Sequence, residues 1–439
     1  MRRHPLLTSA VAAALVLLTG AVANLQTTGS GVDAFVGARV IADPRKPPID
    51  DAVMIVKAGR IEQIGPRASV KIPAGATRHD LAGKTVIPGL INSHGHVGDT
   101  RGMKAGPELY TRENVLSQLG VYGRYGVTTV FSLGGDQEEG FKIRDAQNVP
   151  ALGHARLFVA GTIVTGDTPE AAREVVRRVA ASKADFVKIR VDDNLGSSRK
   201  MPQEVYEAVI DEAHKQKMRV AVHLYYLDDA KKLLTAGADF IAHSIRDQPV
   251  GADLVMTLEQ QNVCVCPTLT REVSTFVYEQ TPEWFTDPFF TREFAKTADD
   301  QAVLEVLKDP KRQATVKAST SAQTYKKSLE MASRNLKFLQ DAGVGIAFGT
   351  DTGPPARFQG YFEHMELELM VKAGLTPAQA LTAATSGAAD CLKVAGQLGT
   401  LVPGAWADFV VLDKNPLEDI RNTRTIASVW VAGSALPRP

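Results

Sequence analysis

The sequence predicts an α/β fold, a (β/α)8 barrel with a small β-sandwich domain assembled from both chain ends. Three observations carry this reading. Short apolar runs alternate with helical patterns through the middle of the chain. Strand-and-turn texture precedes that alternation and returns after it. Histidine, lysine and aspartate stand where several of the apolar runs end, the position at which such barrels collect their chemistry.

The chain opens with Arg2 and Arg3 before an apolar run from Leu6 to Val22, and Ala21-Val22-Ala23 fits a small-x-small cleavage site. Residues 1–23 are therefore expected to be a signal peptide removed after Ala23, which makes the protein exported, periplasmic or secreted. An uncleaved anchor is the competing reading. No cysteine follows the cleavage site, so a lipid anchor there is not expected, nor is a membrane partner once the signal is gone. Residues 24–86 read as the first part of the small β domain. Val53–Val56 and Arg60–Ile64 flank Lys57-Ala58-Gly59, a hairpin signal. Residues 396–439 supply the second part, through Ala407–Asp413 and Ser428–Val431.

Residues 87–395 are the expected barrel. Its strands are the runs Val86–Ile91, Thr128–Phe131, Arg156–Ala160, Asp185–Ile189, Arg219–His223, Phe240–His243, Val263–Cys266 and Gly345–Asp351. Helical patterns such as Pro202–Lys217 and Ala252–Gln261 lie between them. Eight strands over about 265 residues match the roughly 250 usual for a TIM barrel. A doubly wound open sheet is the runner-up, weakened by the lack of a Gly-rich phosphate loop after the first strand. Residues 270–318 exceed what a βα loop needs and carry Phe276, Tyr278, Trp284, Phe285, Phe289 and Phe290. They read as a lid or pocket wall over the catalytic face, with an oligomer contact as the alternative.

Composition narrows the function. Hydrophobic residues make up 44% and charged residues 23% of the 439 positions, and the net charge is +1 without a basic block. These are the proportions of a globular protein, and they argue against a nucleic-acid partner. Cys264, Cys266 and Cys391 are too few for a disulfide framework. Cys264 and Cys266 alternate on one strand face and read as small buried hydrophobes rather than a metal pair.

The metal signal lies elsewhere. His94 and His96, at i and i+2 after Val86-Ile87-Pro88-Gly89-Leu90-Ile91, share a strand face and can grip one ion. Lys188 interrupts an apolar strand, where its charge is costly unless neutralised or paired. His223, His243 and Asp351 each close a strand. A lone strand-end histidine is more often a hydrogen-bonded structural residue. Six such residues on strands 1, 4, 5, 6 and 8 are hard to read as separate accidents.

In that order, His94-x-His96, Lys188, His223, His243 and Asp351 resemble the amidohydrolase superfamily in its two-metal form, nearest its imidazolonepropionase-like and prolidase-like branch. Gly349-Thr350-Asp351-Thr352, Leu398–Gly404 and Ala407–Asp413 support the resemblance, which spans residues 33–435. It implies two divalent ions per chain, zinc by default, with manganese, cobalt or iron also admissible. It places His94, His96 and Asp351 on the more buried ion and His223 and His243 on the second. Lys188 is implied to be carboxylated and to bridge both. One departure stands out. The family usually has Asp two residues before its first histidine, and this chain has Asn92.

The resemblance further implies amide-bond hydrolysis by a metal-bridging hydroxide, with Asp351 moving the proton to the leaving amine. The expected substrates are a dipeptide of Xaa-Pro type or an N-acyl amino acid. The alternatives are a cyclic amide, as imidazolonepropionase takes, a bulky aromatic amide, an organophosphate or a lactone. Deaminases of the superfamily mostly lack the bridging lysine. A non-catalytic binding protein is least favoured, because all six ligands are present. Tyr225 resembles the branch's carboxylate-contacting tyrosine. Arg190 shares the inward face of Lys188 and could pair a substrate carboxylate or serve Asp192 or Asp193. His364 is expected to hydrogen-bond near the site and His154 to lie at the surface. The partner is a small molecule or dipeptide, with homo-oligomerisation left open.

Overall fold

The computed structural model describes residues 31–437. The signal peptide expected at residues 1–23 lies outside them.

The two chain ends meet in one eight-stranded sheet. Ile49–Lys57 and Arg60–Pro66 pair antiparallel with Lys57 opposite Arg60, as the hairpin signal predicts. Ala58 and Gly59 both take positive φ, 50° and 77°, which a two-residue hairpin turn requires. Thr85–Pro88 bridges the two ends, pairing parallel with Val32–Val40 and antiparallel with Phe409–Leu412. Alternation along the strands gives each face its own apolar cluster. Phe35, Met54, Val56, Phe409 and Val411 pack on one side, and Ala34, Val36, Val53 and Ile55 on the other.

The run Val86–Ile91 is two strands rather than one. Thr85–Pro88 belongs to the terminal sheet, and Leu90–Gly95 pairs parallel with Val127–Ser132. Pro88 and Gly89 make the break. A Cβ at Gly89 would lie 2.0 Å from Thr128 Oγ1, so only glycine lets the chain pass from one sheet to the other.

From Leu90–Gly95 the parallel pairings step to Val127–Ser132 and Arg156–Val159. A bridge between Val164 and Ile189 reaches Val187–Arg190. Val220–His223, Phe240–Ile241 and Cys264–Val265 follow in order. Val265 bridges to Ile346, and Thr352 bridges back to Gly95, so the circuit of pairings returns to its first strand. Most of these residues are buried on both faces, which is why the strands read as continuous apolar runs. Helices such as Pro169–Ala181, whose Thr168 cap accepts from Ala171 N, and Gln203–Lys215 alternate with them.

One expectation changes here. Cys264 is disulfide-bonded to Cys391 with Cα atoms 5.9 Å apart, while Cys266 is a buried free thiol. Cys264 and Cys391 are 127 residues apart and form no local motif, so the pairing became visible only when the chain closed. The aromatic residues of the insertion pack against elements outside it. Tyr278, Phe285 and Phe290 are buried with Tyr125, Phe358, Tyr361 and Phe362 in a separate apolar cluster, and Trp284 packs against it. Tyr125, Phe358, Tyr361 and Phe362 lie outside the insertion, so the shared cluster fastens it to the rest of the chain.

Candidate metal centre

The strand Leu90–Gly95 delivers His94, and His96 follows one residue past its end. The chain after Ile346 closes on the same spot: Asp351 N donates to the His94 carbonyl at 2.6 Å, and His96 N to Thr352 O at 2.7 Å. Asp351 holds φ +58°, a conformation uncommon for a non-glycine residue and concentrated at functional sites. Gly353 follows at φ +117°, and a Cβ there would sit 2.3 Å from the His96 carbonyl oxygen. Backbone shape thus presses Asp351 onto the two histidines. Ligand atoms of His94, His96 and Asp351 lie within 4.8 Å of one another. Asp351 Oδ1 is 2.9 Å from His96 Nε2 and 3.5 Å from His94 Nε2.

The other three expected ligands join them. Lys188 Nζ, on Val187–Arg190, lies 3.3 Å from His94 Nε2. The His243 ring stands 4.6 Å from that of His94 and 4.1 Å from that of His223, centroid to centroid. All six residues therefore converge on one buried volume. His94, His243, Lys188 and Asp351 are buried and His96 and His223 nearly so.

Hydrogen bonds to the outer ring nitrogens leave the inner ones as lone pairs. Nδ1 of His94 faces the Ala242 carbonyl at 2.7 Å and Nδ1 of His96 the Gly134 carbonyl at 3.0 Å. A carbonyl only accepts, so both rings carry their proton on Nδ1 and turn Nε2 inward. His223 is reversed. Its Nε2 meets Asp192 Oδ2 at 2.8 Å, which leaves Nδ1 for an ion. His243 Nδ1 pairs with Thr268 Oγ1 at 2.7 Å, and its buried Nε2 has no partner among the described residues. An orphaned imidazole nitrogen inside a ring of donors fits a divalent cation.

Electrostatics agree with that donor set. Burial, aided by Lys188 and neighbouring rings, holds His94 and His243 well below 6.5. Burial takes His223 down to about 3 and Lys188 down to about 8. At His96 burial is outweighed by Asp351, which raises the ring. Burial alone would raise Asp351; Arg357 and the two histidines overcome it and hold the carboxyl well below 3.8. Neutral imidazoles and an ionised carboxylate are the forms that bind metal.

Several supporting residues were not visible in the sequence. Arg357 Nη1 donates to Asp351 Oδ2 at 2.5 Å. Asp192, which the sequence offers as a counter-ion for Arg190, also orients His223. Glu363 is buried beneath Asn92: Asn92 Nδ2 donates to Glu363 Oε1 at 2.7 Å, and Asn92 Oδ1 accepts from His94 N at 2.9 Å. Its neighbour His364 does not reach the site. That ring turns to the opposite face of the helix Tyr361–Lys372, meeting the Tyr125 carbonyl and Thr423 Oγ1. His154 is half-buried, with Nδ1 against the Ala155 carbonyl.

The two expected substrate contacts are otherwise engaged. Tyr225 is buried and its hydroxyl lies 2.5 Å from Ser328 Oγ. Arg190 is turned outward, with its side chain 41% exposed and Nε 3.2 Å from Asp192 Oδ1.

Residues 85–436 match the model of the amidohydrolase family. The chain belongs to the amidohydrolase family. Among curated relatives, the ochratoxinase of Aspergillus niger is 25% identical over 355 residues, covering 77% of this chain and 62% of the relative. This amidohydrolase thus spans less than two thirds of that protein's length. The imidazolonepropionase of Deinococcus deserti is 25% identical over 445 residues, covering 95% and 98%. Among solved structures, a prolidase-like protein of Bifidobacterium longum superposes with TM-score 0.73 at 25% identity, over 93% of this chain and 95% of that one.

Proposed function

We propose that this amidohydrolase is a metal-dependent hydrolase of carbon–nitrogen bonds, cleaving an amide in a dipeptide of Xaa-Pro type or an N-acyl amino acid. The observation that carries the reading is the convergence of four imidazoles, Asp351 and Lys188 on one volume, with the His243 Nε2 left unsatisfied. His94, His96 and Asp351 would hold one ion and His223 and His243 a second. Zinc is the default for such donors. Bound there, the cations supply acidified water and a polarised carbonyl.

The chain's own groups do the rest. Asp351 is ionised and placed to take a proton at Oδ1 and hand it to the leaving amine, while Arg357 holds Oδ2. Lys188, lowered to about 8 by burial, has far more of its neutral amine near pH 7 than an ordinary lysine. The neutral amine is the form that adds carbon dioxide, which supports carboxylation and a bridging role. Asp192 fixes the tautomer of His223, and Thr268 holds the ring of His243 in place.

A cyclic amide is the second reading, favoured by the full-length similarity to an imidazolonepropionase. The similarity to an ochratoxinase keeps a bulky aromatic amide in view. The circuit of parallel pairings supports a (β/α)8 barrel, and the terminal sheet, with an apolar cluster on each face, supports the small β-sandwich. The Cys264–Cys391 disulfide supports export to an oxidising compartment. No helix of the described residues is long and apolar enough to cross a membrane.

Metal analysis of the purified protein, paired with a panel of Xaa-Pro dipeptides, N-acyl amino acids and lactams, tests the proposal. Two ions per chain, depleted in Lys188→Ala, with amine release from an open-chain amide are expected. Lactam opening alone would shift the reading to the cyclic substrate, and a metal-loaded protein inert on every amide would overturn it.

A further inference from the structure

The segments that carry His243 and Thr268 also deliver a second buried cluster that the metal centre does not use. Arg246 and Arg271 are 1% and 6% exposed, and Glu272 is 1% exposed. Arg246 Nε lies 2.9 Å from Glu272 Oε1, and Arg271 Nη1 lies 3.3 Å from Oε2. Two cations share one carboxylate. The cluster therefore holds an uncompensated positive charge in a buried volume, which is costly until an anion joins it. The neighbouring acids are committed elsewhere, Asp192 to His223 and Arg190, and Asp351 to Arg357 and His96.

Hydrogen bonding has the same gap. Arg246 Nη1 donates to the Leu224 and Ser244 carbonyls at 3.0 and 2.6 Å, and Arg271 Nη2 to the Tyr325 hydroxyl at 3.4 Å. Arg246 Nη2 and Arg271 Nε find no hydrogen-bond partner among the described residues. The guanidinium carbons lie 4.8 Å from the Tyr225 ring centroid and 4.3 Å from that of Tyr325. With a face of each group covered by an aromatic ring, the open valence is at the N–H edge, where carboxylates bind. The pair adjoins the metal centre: the charge of Arg271 acts on Asp351 and His223, and that of Arg246 on His243 and Asp192.

We infer that Arg271 and Arg246 receive a carboxylate carried by the amide substrate and so select anionic amides over neutral ones, an assignment that rests on the amide-hydrolysing reading above. Tyr225, bonded to Ser328, forms the apolar back of that site, and Arg190 stays with Asp192.

The test compares metal-loaded wild type, Arg271→Met and Arg271→Lys on N-acetyl-L-phenylalanine and N-acetyl-L-proline against their carboxamides, with metal content measured on each. Wild type should favour the acids by about 100-fold in kcat/KM, the scale of a desolvated charge contact. Arg271→Met should abolish the preference and Arg271→Lys restore part of it. A merely structural arginine would depress acids and carboxamides alike. Equal wild-type rates on both, a result that needs no variant, would overturn the assignment. So would an unchanged preference in Arg271→Met at unchanged metal content. If wild type cleaves none of these amides, the hydrolytic reading fails for them, and calorimetry with L-phenylalanine and L-phenylalaninamide decides the site separately. At least tenfold tighter binding of the acid, lost in Arg271→Met, supports it; equal binding overturns it.

Discussion

Asn92 stands where the family usually carries an aspartate, and its surroundings give the reason. One end of its amide accepts from the His94 backbone and the other donates to Glu363, whose carboxyl burial pushes up to about 6. The Asn92 amide bridges the two, accepting from a backbone N–H and donating to a buried carboxyl, which an aspartate cannot do in its ionised form. Asn92→Asp would set two carboxyls in hydrogen-bond contact. It is expected to cost about 1–3 kcal/mol in urea unfolding near neutral pH, less in acid where one carboxyl holds a proton. At the reacting atoms, Asp351→Asn removes the proton carrier while keeping an oxygen ligand. Turnover should fall roughly 10²–10⁴-fold with most of the metal retained, measured by kcat and metal content on the same sample. Loss of metal in parallel with kcat would instead make Asp351 chiefly a ligand.

At the scale of elements, the centre depends on how closely the chain after Ile346 approaches Leu90–Gly95. Gly353 permits that approach, and Gly353→Ala places a methyl group against the His96 carbonyl at a φ that side chains rarely adopt. Its expected result is weaker metal retention in a chelator competition, with circular dichroism little changed. The helix Tyr361–Lys372 carries Glu363 toward the centre and is fastened on its other side by His364, which donates from Nε2 to the Tyr125 carbonyl. Burial takes that ring from 6.5 down to about 3. The unfolded chain therefore binds the extra proton between those values. The stability His364 contributes is complete above about pH 6.5 and is lost as the pH falls toward 3. His364→Gln keeps a donor without a titrating ring, so the metal-free variant should lose less stability than wild type between about pH 7 and about pH 4.5 in urea titrations.

Across the whole molecule, the terminal sheet is joined to the parallel strands by a buried ion pair. Arg156, on the third parallel strand, reaches Asp408 at 2.6 Å with both side chains at most 4% exposed, and its guanidinium also covers Trp406. Asp408 accepts from Ala432 N as well. Arg156→Met would leave that carboxylate buried and unpaired. It is expected to cost about 3–5 kcal/mol, seen as a lower denaturation midpoint, with the metal stoichiometry of the remaining folded protein unchanged.

Local pattern made the hairpin at Lys57–Arg60, the order of the parallel strands and the six converging ligands legible, because strand period and strand-end position are properties of a few neighbouring residues. Those six residues came together across a separation of more than 250 positions only because the circuit of strands returns to its start. What local pattern could not carry was pairing between distant side chains. Cys264 with Cys391, Asn92 with Glu363, Arg271 with Glu272 beside Arg246, and the burial of the aromatic insertion against Tyr125 and Phe358 all depend on which surfaces meet. The sequence by itself determined which residue types stand at the strand ends, and hence the donor chemistry of the centre. Only the tertiary structure decided which partners neutralise, orient or leave open each buried charge, since burial and Coulomb energy depend on distance in space rather than along the chain.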